Sequence, residues 1–249
     1  MDKHSPPNPA HPSQPSFTIT VSQVVHLSHI IDSKMPQWPG DPAVEFETVT
    51  FLEKDGYHLR RFSIGEHSST HMNAPNSFHD TGVSIDQYPA ESLVARAVVI
   101  DICNKAAADP DYVLALSDVL MWEQQYGQIS EGSLVLLYTG WQSKWSDEAA
   151  FFNPDASGGL HFPGFGSEAT QFLLDERQIV GLGIDTHGVD GGQNTTFAIN
   201  RLVLEQPRIV LENLTNLEQL PPVGATLVMG VFRLLGGSGS PVAVLALVP

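Results

Sequence analysis

Apolar positions in this chain fall mostly into short runs bounded by Gly, Pro, Asp and Asn, and helical spacing is confined to two stretches. Residues 17–27 are rich in β-branched side chains and predict a strand. Residues 44–52 alternate apolar and polar and predict another, as do residues 59–64. Residues 97–102 and 133–138 are almost wholly apolar, which suits strands buried on both faces. Further strands are predicted at 179–184, entering Asp185-Thr186-His187-Gly188, and at 208–211, leading into Glu212-Asn213-Leu214. Two more are predicted at 226–233 and 242–248. Residues 110–125 place Val113, Leu114, Leu116, Val119, Leu120 and Trp122 at helical spacing. Residues 167–177 predict a second helix, with Ser167 as its cap and Ala169, Phe172 and Leu173 on its apolar face. Strands outnumber helices and their order is mixed. The pattern therefore predicts an α/β fold with strand-rich ends, and no internal repeat is evident.

Composition narrows this. Residues 1–16 are dominated by Pro and Ser and predict a disordered tail, in which His4 and His11 carry no role. Residues 17–249 then form one domain, long enough for a sizeable core. With 12 Lys+Arg against 28 Asp+Glu, the formal net charge is −16. That argues against nucleic acid and against an anionic membrane surface as partners, and suits a soluble protein kept apart by self-repulsion. One cysteine, Cys103, excludes an intramolecular disulfide and a Cys-based zinc cluster; it follows an apolar run and reads as a buried thiol. No apolar run is long enough to span a bilayer and no secretory h-region is present, so a cytoplasmic location is expected.

The segment richest in chemistry is Gly65-Glu66-His67-Ser68-Ser69-Thr70-His71-Met72-Asn73-Ala74-Pro75-Asn76-Ser77-Phe78-His79. On an extended chain His67, His71 and Asn73 share one face, because side chains repeat every second residue. Two neutral imidazoles suit metals of the Zn, Mn or Fe class, and are a start on a site needing three or four ligands. By itself the H-x-x-x-H spacing fits two hydrogen-bonded loop histidines equally well. Gly236-Gly237-Ser238-Gly239-Ser240 lacks the Lys-Ser/Thr end of a phosphate loop and reads as a flexible turn. Glu66, Asp80, Asp86 and Asp190 read as surface or capping carboxylates. Trp38 and Trp141 suit either the wall of a substrate pocket or the core.

In context, His67 to Phe78 resembles the signature H-x-G-T-H-x-D-x-P-x-H-F of the cyclase family, the kynurenine formamidase-like and isatin hydrolase-like proteins. Leu27-Ser28-His29, the Met35–Pro42 loop, Gly82-Val83-Ser84-Ile85-Asp86, Tyr138-Thr139-Gly140-Trp141, His161-Phe162-Pro163-Gly164, Gly183-Ile184-Asp185-Thr186 and Leu211-Glu212-Asn213-Leu214 are similar to further landmarks of that family, in the same order. The resemblance implies a swivelling β/β/α fold in dimers or tetramers. It implies a metal site, mononuclear or dinuclear, activating water against the carbonyl of a small amide, lactam or lactone; with the changed ligand positions given below, one divalent transition metal, Zn or Mn, is expected. Carried over by position, His67, His71 and Glu212 are its metal ligands. The chain departs from the family where an aspartate becomes Asn73, a histidine becomes Ser77 and a later histidine becomes Asn200. His79, two residues past Ser77, and His187, at a strand end, are the candidates to compensate as catalytic acid–base groups, with His161 behind them. Asn73, Trp38 and Trp141 are then candidate substrate contacts. The expected activity is that of a metal-dependent hydrolase. The alternatives are a metal-free binding or regulatory protein, and a cyclase or dehydratase run by histidine acid–base chemistry.

Overall fold

The computed structural model describes residues 20–249, so the expected 1–16 tail and the start of the 17–27 strand lie outside the described residues. The strands are β1 (Gln23–His26), β2 (Glu45–Thr50), β3 (Leu59–Ser63), β4 (His71–Asn73), β5 (Val94–Asp101), β6 (Val113–Leu114), β7 (Leu134–Tyr138), β8 (Gly164–Phe165), β9 (Gly181–Ile184), β10 (Ile209–Glu212), β11 (Val223–Val231) and β12 (Gly239–Val248). The helices are α1 (Leu52–Asp55), α2 (Cys103–Ala108), α3 (Leu116–Tyr126), α4 (Glu148–Phe152), α5 (Ser167–Arg177) and α6 (Ala198–Val203).

Eight strands form one sheet in the order β1-β12-β11-β5-β7-β9-β10-β4, and β4 also pairs with β12. The sheet thus closes on itself. β5, β7, β9 and β10 run parallel, while β4 and β11 flank them antiparallel. β12 carries β1 and β4 on one edge: residues 245–248 face β1 and residues 239–241 face β4.

Closure gives every central strand two buried faces, which is why these strands read as unbroken apolar runs. Ala95, Ala97, Val99, Leu134, Leu136 and Leu211 pack inside the ring. Val98, Ile100, Val135, Leu137, Leu182 and Val210 point outward, against Val119 and Trp122 of α3, Ala169 and Leu173 of α5, and Ile199 and Val203 of α6. Gly181 is where backbones come closest: a Cβ there would lie 2.0 Å from Ile209 O. β2 and β3 form a separate exposed hairpin.

Two helical expectations shift. The helix expected at 110–125 starts only at Leu116, because Val113–Leu114 is drawn out to pair with β8. Ser167 does not cap α5; Gly166 is the N-cap and makes no side-chain bond. Among the described residues no helix is long and apolar enough to cross a membrane.

Candidate active site

The C-terminal ends of parallel strands are where an α/β sheet opens a crevice, and the site forms there. β10 ends in Glu212, and β9 runs into Asp185-Thr186-His187. β4 lies antiparallel beside β10, with His71 directly across from Glu212. His67 lies not on a strand but in a turn before β4, where Ser69 takes a left-handed conformation (φ 58). The turn folds His67 back onto Asn73, against Gly239 of β12. A Cβ at 239 would lie 2.7 Å from His67 Cε1, so only glycine leaves room for the ring.

These side chains form one closed network. Glu212 Oε2 meets His71 Nε2 at 3.0 Å and accepts from Asn73 Nδ2 at 3.1 Å. Glu212 Oε1 accepts from Val189 N at 2.9 Å and Asn200 Nδ2 at 3.0 Å. A carboxylate accepts about four hydrogen bonds, and this one has four. Burial pushes the Glu212 carboxyl up, but the bond and charge of His71, with Asn200 and the Val189 amide, outweigh it and bring it down to about 2. His71 Nδ1 faces Ser69 O at 2.9 Å, so the ring holds its carboxylate from a fixed position. Asn73 Nδ2 also donates to Asn200 Oδ1 at 3.0 Å. With its nitrogen turned to acceptors, Asn73 presents Oδ1 to His67 Nδ1 at 2.8 Å. An amide oxygen only accepts, so Nδ1 carries the proton and Nε2 of His67 presents a lone pair. Burial and the nearby His71 charge lower the His67 pKa, which agrees with a neutral ring. Nε2 faces Ser238 Oγ at 2.9 Å.

Above this floor lies a cavity of about 320 Å³ lined by His67, Asn73, Glu212 and Ser238 below and by Trp38, Phe78, Phe162 and Phe197 on its walls. His187 is stacked on Trp38 with ring centroids 4.8 Å apart, and Phe152 meets it edge-on at 5.1 Å. Its Nδ1 lies 3.2 Å from Asn213 Nδ2, a donor, so Nδ1 accepts and Nε2 carries the hydrogen. Burial and the His71 charge push His187 down to about 4, leaving it a neutral N–H donor over the whole ordinary pH range. Among the described residues no Lys or Arg lines the cavity, whereas Asp41 and Asp190 do.

The residues singled out by sequence therefore part company. His67, His71, Asn73, Glu212, His187 and Trp38 line one cavity. His79 does not. Pro75–Ser77 winds into a 3-10 turn, which breaks the extended spacing that would have aligned His79, and its Nε2 binds Arg201 O at 2.9 Å instead. Trp141, expected as a substrate contact, does not line the cavity either: it is buried behind the wall with Phe151, Phe152 and Phe162, donating to Phe151 O at 2.7 Å. His161 is held at the surface by Asp111, at 2.8 Å. Asp190 is a capping residue, but a buried one; it accepts from Ile199 N and Asn200 N at the start of α6 and so fixes Asn200. Glu66 and Ser238 were missed. Glu66 Oε2 accepts from both Ser238 N (2.8 Å) and Ser238 Oγ (2.7 Å), and Ser238 O accepts from Ala74 N and Ser77 Oγ. The expected flexible turn is thus pinned on both sides.

Residues 25–191 match the model of the Cyclase family, described as putative cyclase. The chain belongs to the Cyclase family. Isatin hydrolase of Roseibium aggregatum is 34% identical over 245 residues, covering 91% of this chain and 92% of that protein. Kynurenine formamidase of Salinibacter ruber is 24% identical over 222 residues, 88% of this chain and 94% of that protein. Among solved structures, isatin hydrolase A from Ralstonia solanacearum superposes with a TM-score of 0.86 at 34% identity, covering 91% and 92% of the two chains. The closed sheet flanked by helices is the Cyclase-family fold, as the motif implied.

The metal implied by the family meets a difficulty in the donor set. A Zn or Mn ion needs three or four lone pairs aimed at one point. His67, His71 and Glu212 reach the cavity, but each donor atom is already matched to a protein partner, and the amide nitrogens of Asn73 and Asn200 donate to Glu212 where a cation would otherwise bind it. Among the described residues, no group of three or more His, Cys, Asp or Glu side chains is arranged to hold a metal ion. The residues present do not fit a resident metal of that kind.

Proposed function

We propose that this Cyclase-family chain hydrolyses a small, flat, uncharged amide, lactam or lactone, using its own side chains rather than a metal-bound water. The observation that carries this is the cavity itself: aromatic walls, two neutral histidines and a serine beside the saturated His71–Glu212 ion pair, and, among the described residues, no Lys or Arg. Apolar walls with a few converging polar groups are the usual form of a small-molecule site. Asp41 and Asp190, with no Lys or Arg opposite among the described residues, disfavour a substrate carrying a carboxylate.

The chemistry follows from which atoms remain free. His187 Nε2–H is available to a substrate carbonyl oxygen, and a donor at that point stabilises the charge that develops there. Trp38 fixes the His187 ring by stacking and offers a flat surface to the substrate. His71 and Glu212 neutralise each other and hold the floor rigid. His67 accepts the proton of the attacking hydroxyl at Nε2 and returns it to the leaving nitrogen or oxygen. The relatives that are by name isatin hydrolase and kynurenine formamidase support hydrolysis as the reaction class.

The test is a panel assay with and without chelator. It compares neutral cyclic amides and lactones, isatin among them, with N-formyl amino acids. Turnover of the neutral compounds that survives chelation is expected. Turnover abolished by chelator and restored by Mn or Zn overturns the metal-free mechanism. A second reading, ligand binding without turnover, is favoured by the saturation of the floor's hydrogen bonds. It predicts that panel compounds raise the melting temperature yet persist unchanged.

A further inference from the structure

A single serine faces a histidine whose other nitrogen is held by an amide oxygen: Ser238 Oγ to His67 Nε2 at 2.9 Å, and His67 Nδ1 to Asn73 Oδ1 at 2.8 Å. Both nitrogens of His67 are thereby engaged. Nδ1 carries the proton and points at Asn73, away from any reacting atom. The basic lone pair points at Ser238. Within this chain, the hydroxyl placed to lose its proton to His67 is that of Ser238. We propose that Ser238 is the nucleophile of the site, with His67 its base and Asn73 the residue that orients the imidazole, so that hydrolysis proceeds through a serine ester. This rests on the hydrolase reading given above and adds the identity of the attacking group.

Three further features fit that role. Ser238 lines the cavity. Its backbone is fixed at both ends, by Glu66 on the nitrogen and by Ala74 and Ser77 on the oxygen, so Oγ is held in place. The glycines on either side sit close against their neighbours. A Cβ at 237 would be a tight fit, 3.0 Å from Leu234 Cβ and 3.1 Å from Glu66 Oε1, and one at 239 would clash at 2.7 Å with the His67 ring. Asn73 in turn cannot flip, because Glu212 accepts from its nitrogen and a carboxylate offers no donor to its oxygen. The hydroxyl proton has two acceptors, Glu66 Oε2 at 2.7 Å and His67 Nε2 at 2.9 Å. A rotation about the Cβ–Oγ bond moves it from the first to the second. Glu66 is thus a positioning residue.

The steps balance. Ser238 Oγ forms a bond to the carbonyl carbon while its proton passes to His67 Nε2. The C–N bond of the amide (or the C–O bond of the lactone) then breaks, and the leaving atom takes that proton. One water attacks the resulting ester, giving a proton to His67; Ser238 Oγ leaves and recovers it. The net change is consumption of one water and release of a carboxylic acid.

The experiment combines turnover of the neutral-amide and lactone panel with intact mass after exposure to a fluorophosphonate, using the wild type, Ser238→Ala and His67→Gln. Melting curves establish that the variants fold, and Ser238→Cys serves if Ser238→Ala does not. The expected results are one phosphonate per chain on Ser238, no adduct in Ser238→Ala, labelling of His67→Gln slowed at least about 100-fold, and turnover in Ser238→Ala reduced about 10⁴-fold. Wild-type turnover that Ser238→Ala keeps within about threefold, with no adduct in the wild type, overturns Ser238 and leaves hydrolysis standing. Labelling of Ser238 in a protein that turns over nothing in the panel supports the nucleophile and removes the hydrolase reading. Neither turnover nor labelling removes both.

Discussion

Asn73 Nδ2 lies 3.1 Å from Glu212 Oε2, where an aspartate would set one carboxylate against another. The asparagine removes the need for a cation between the two positions and supplies a donor instead. Asn73→Asp is accordingly expected to destabilise the protein by about 3 kcal/mol, the order seen when a buried charge loses its partner. Mn²⁺ or Zn²⁺ should recover part of that loss in the variant and stabilise the wild type little, since only the variant restores the missing anionic donor. Thermal melts across a metal titration check this. Equal stabilisation of both proteins would contradict the fit argued for the site.

Removing the stacking surface should act on binding. Trp38→Ala is expected to raise KM about tenfold, through lost aromatic contact of about 1 kcal/mol plus lost apolar area. A smaller fall in kcat should accompany it, because His187 loses the ring that orients it. Steady-state kinetics on a turned-over lactam separate the two effects.

His187 is expected to act on kcat. Replacing it with Phe keeps a flat ring between Trp38 and Phe152 but deletes the N–H donor. A fall in kcat of about 10² to 10³ is expected, with KM nearly unchanged. An unchanged kcat would assign the ring to packing alone.

Asp185 gives the fold a pH dependence of its own. Burial raises its carboxyl to about 6, against the bonds from Thr139 and Gln142 that lower it. A carboxyl whose pKa is higher in the folded state binds its proton more tightly there. Its contribution is therefore full below the unfolded value near 3.8 and is lost as pH rises through about 6. Asp185→Asn removes this titration. The stability difference between variant and wild type should shift toward the variant by about 2 kcal/mol between pH 4 and pH 7. Urea unfolding at the two pH values, at fixed ionic strength, measures it.

Local pattern located most of the framework. Strands buried on both faces announce themselves as apolar runs, and Ser167–Arg177 repeats at helical spacing, so these elements were legible. His67, His71 and Asn73 do line one cavity, although by a different cause: His67 arrives by a turn through left-handed Ser69, not by strand alternation. His79 was misplaced because the alternation stops at the Pro75 turn. Trp141 could not be assigned, since an indole on a wall and one behind it share the same local pattern. Ser238 stayed hidden because its meaning comes from pairing across the chain. It lies 171 positions from His67, and only the register of Gly239 against Asn73 brings the two together.

That register also dates the site within synthesis. β4, which carries His71 and Asn73, has its second neighbour in β12, and β12 is the last strand of the sheet to leave the ribosome. Every other element of the cavity is translated earlier and waits for it. A nascent chain that has emerged only as far as β11 holds its histidines without the serine loop and without the strand that closes the ring. The cavity is thereby left incomplete until β12 has been made, and any truncation that removes this strand costs β4 its second neighbour and opens the ring.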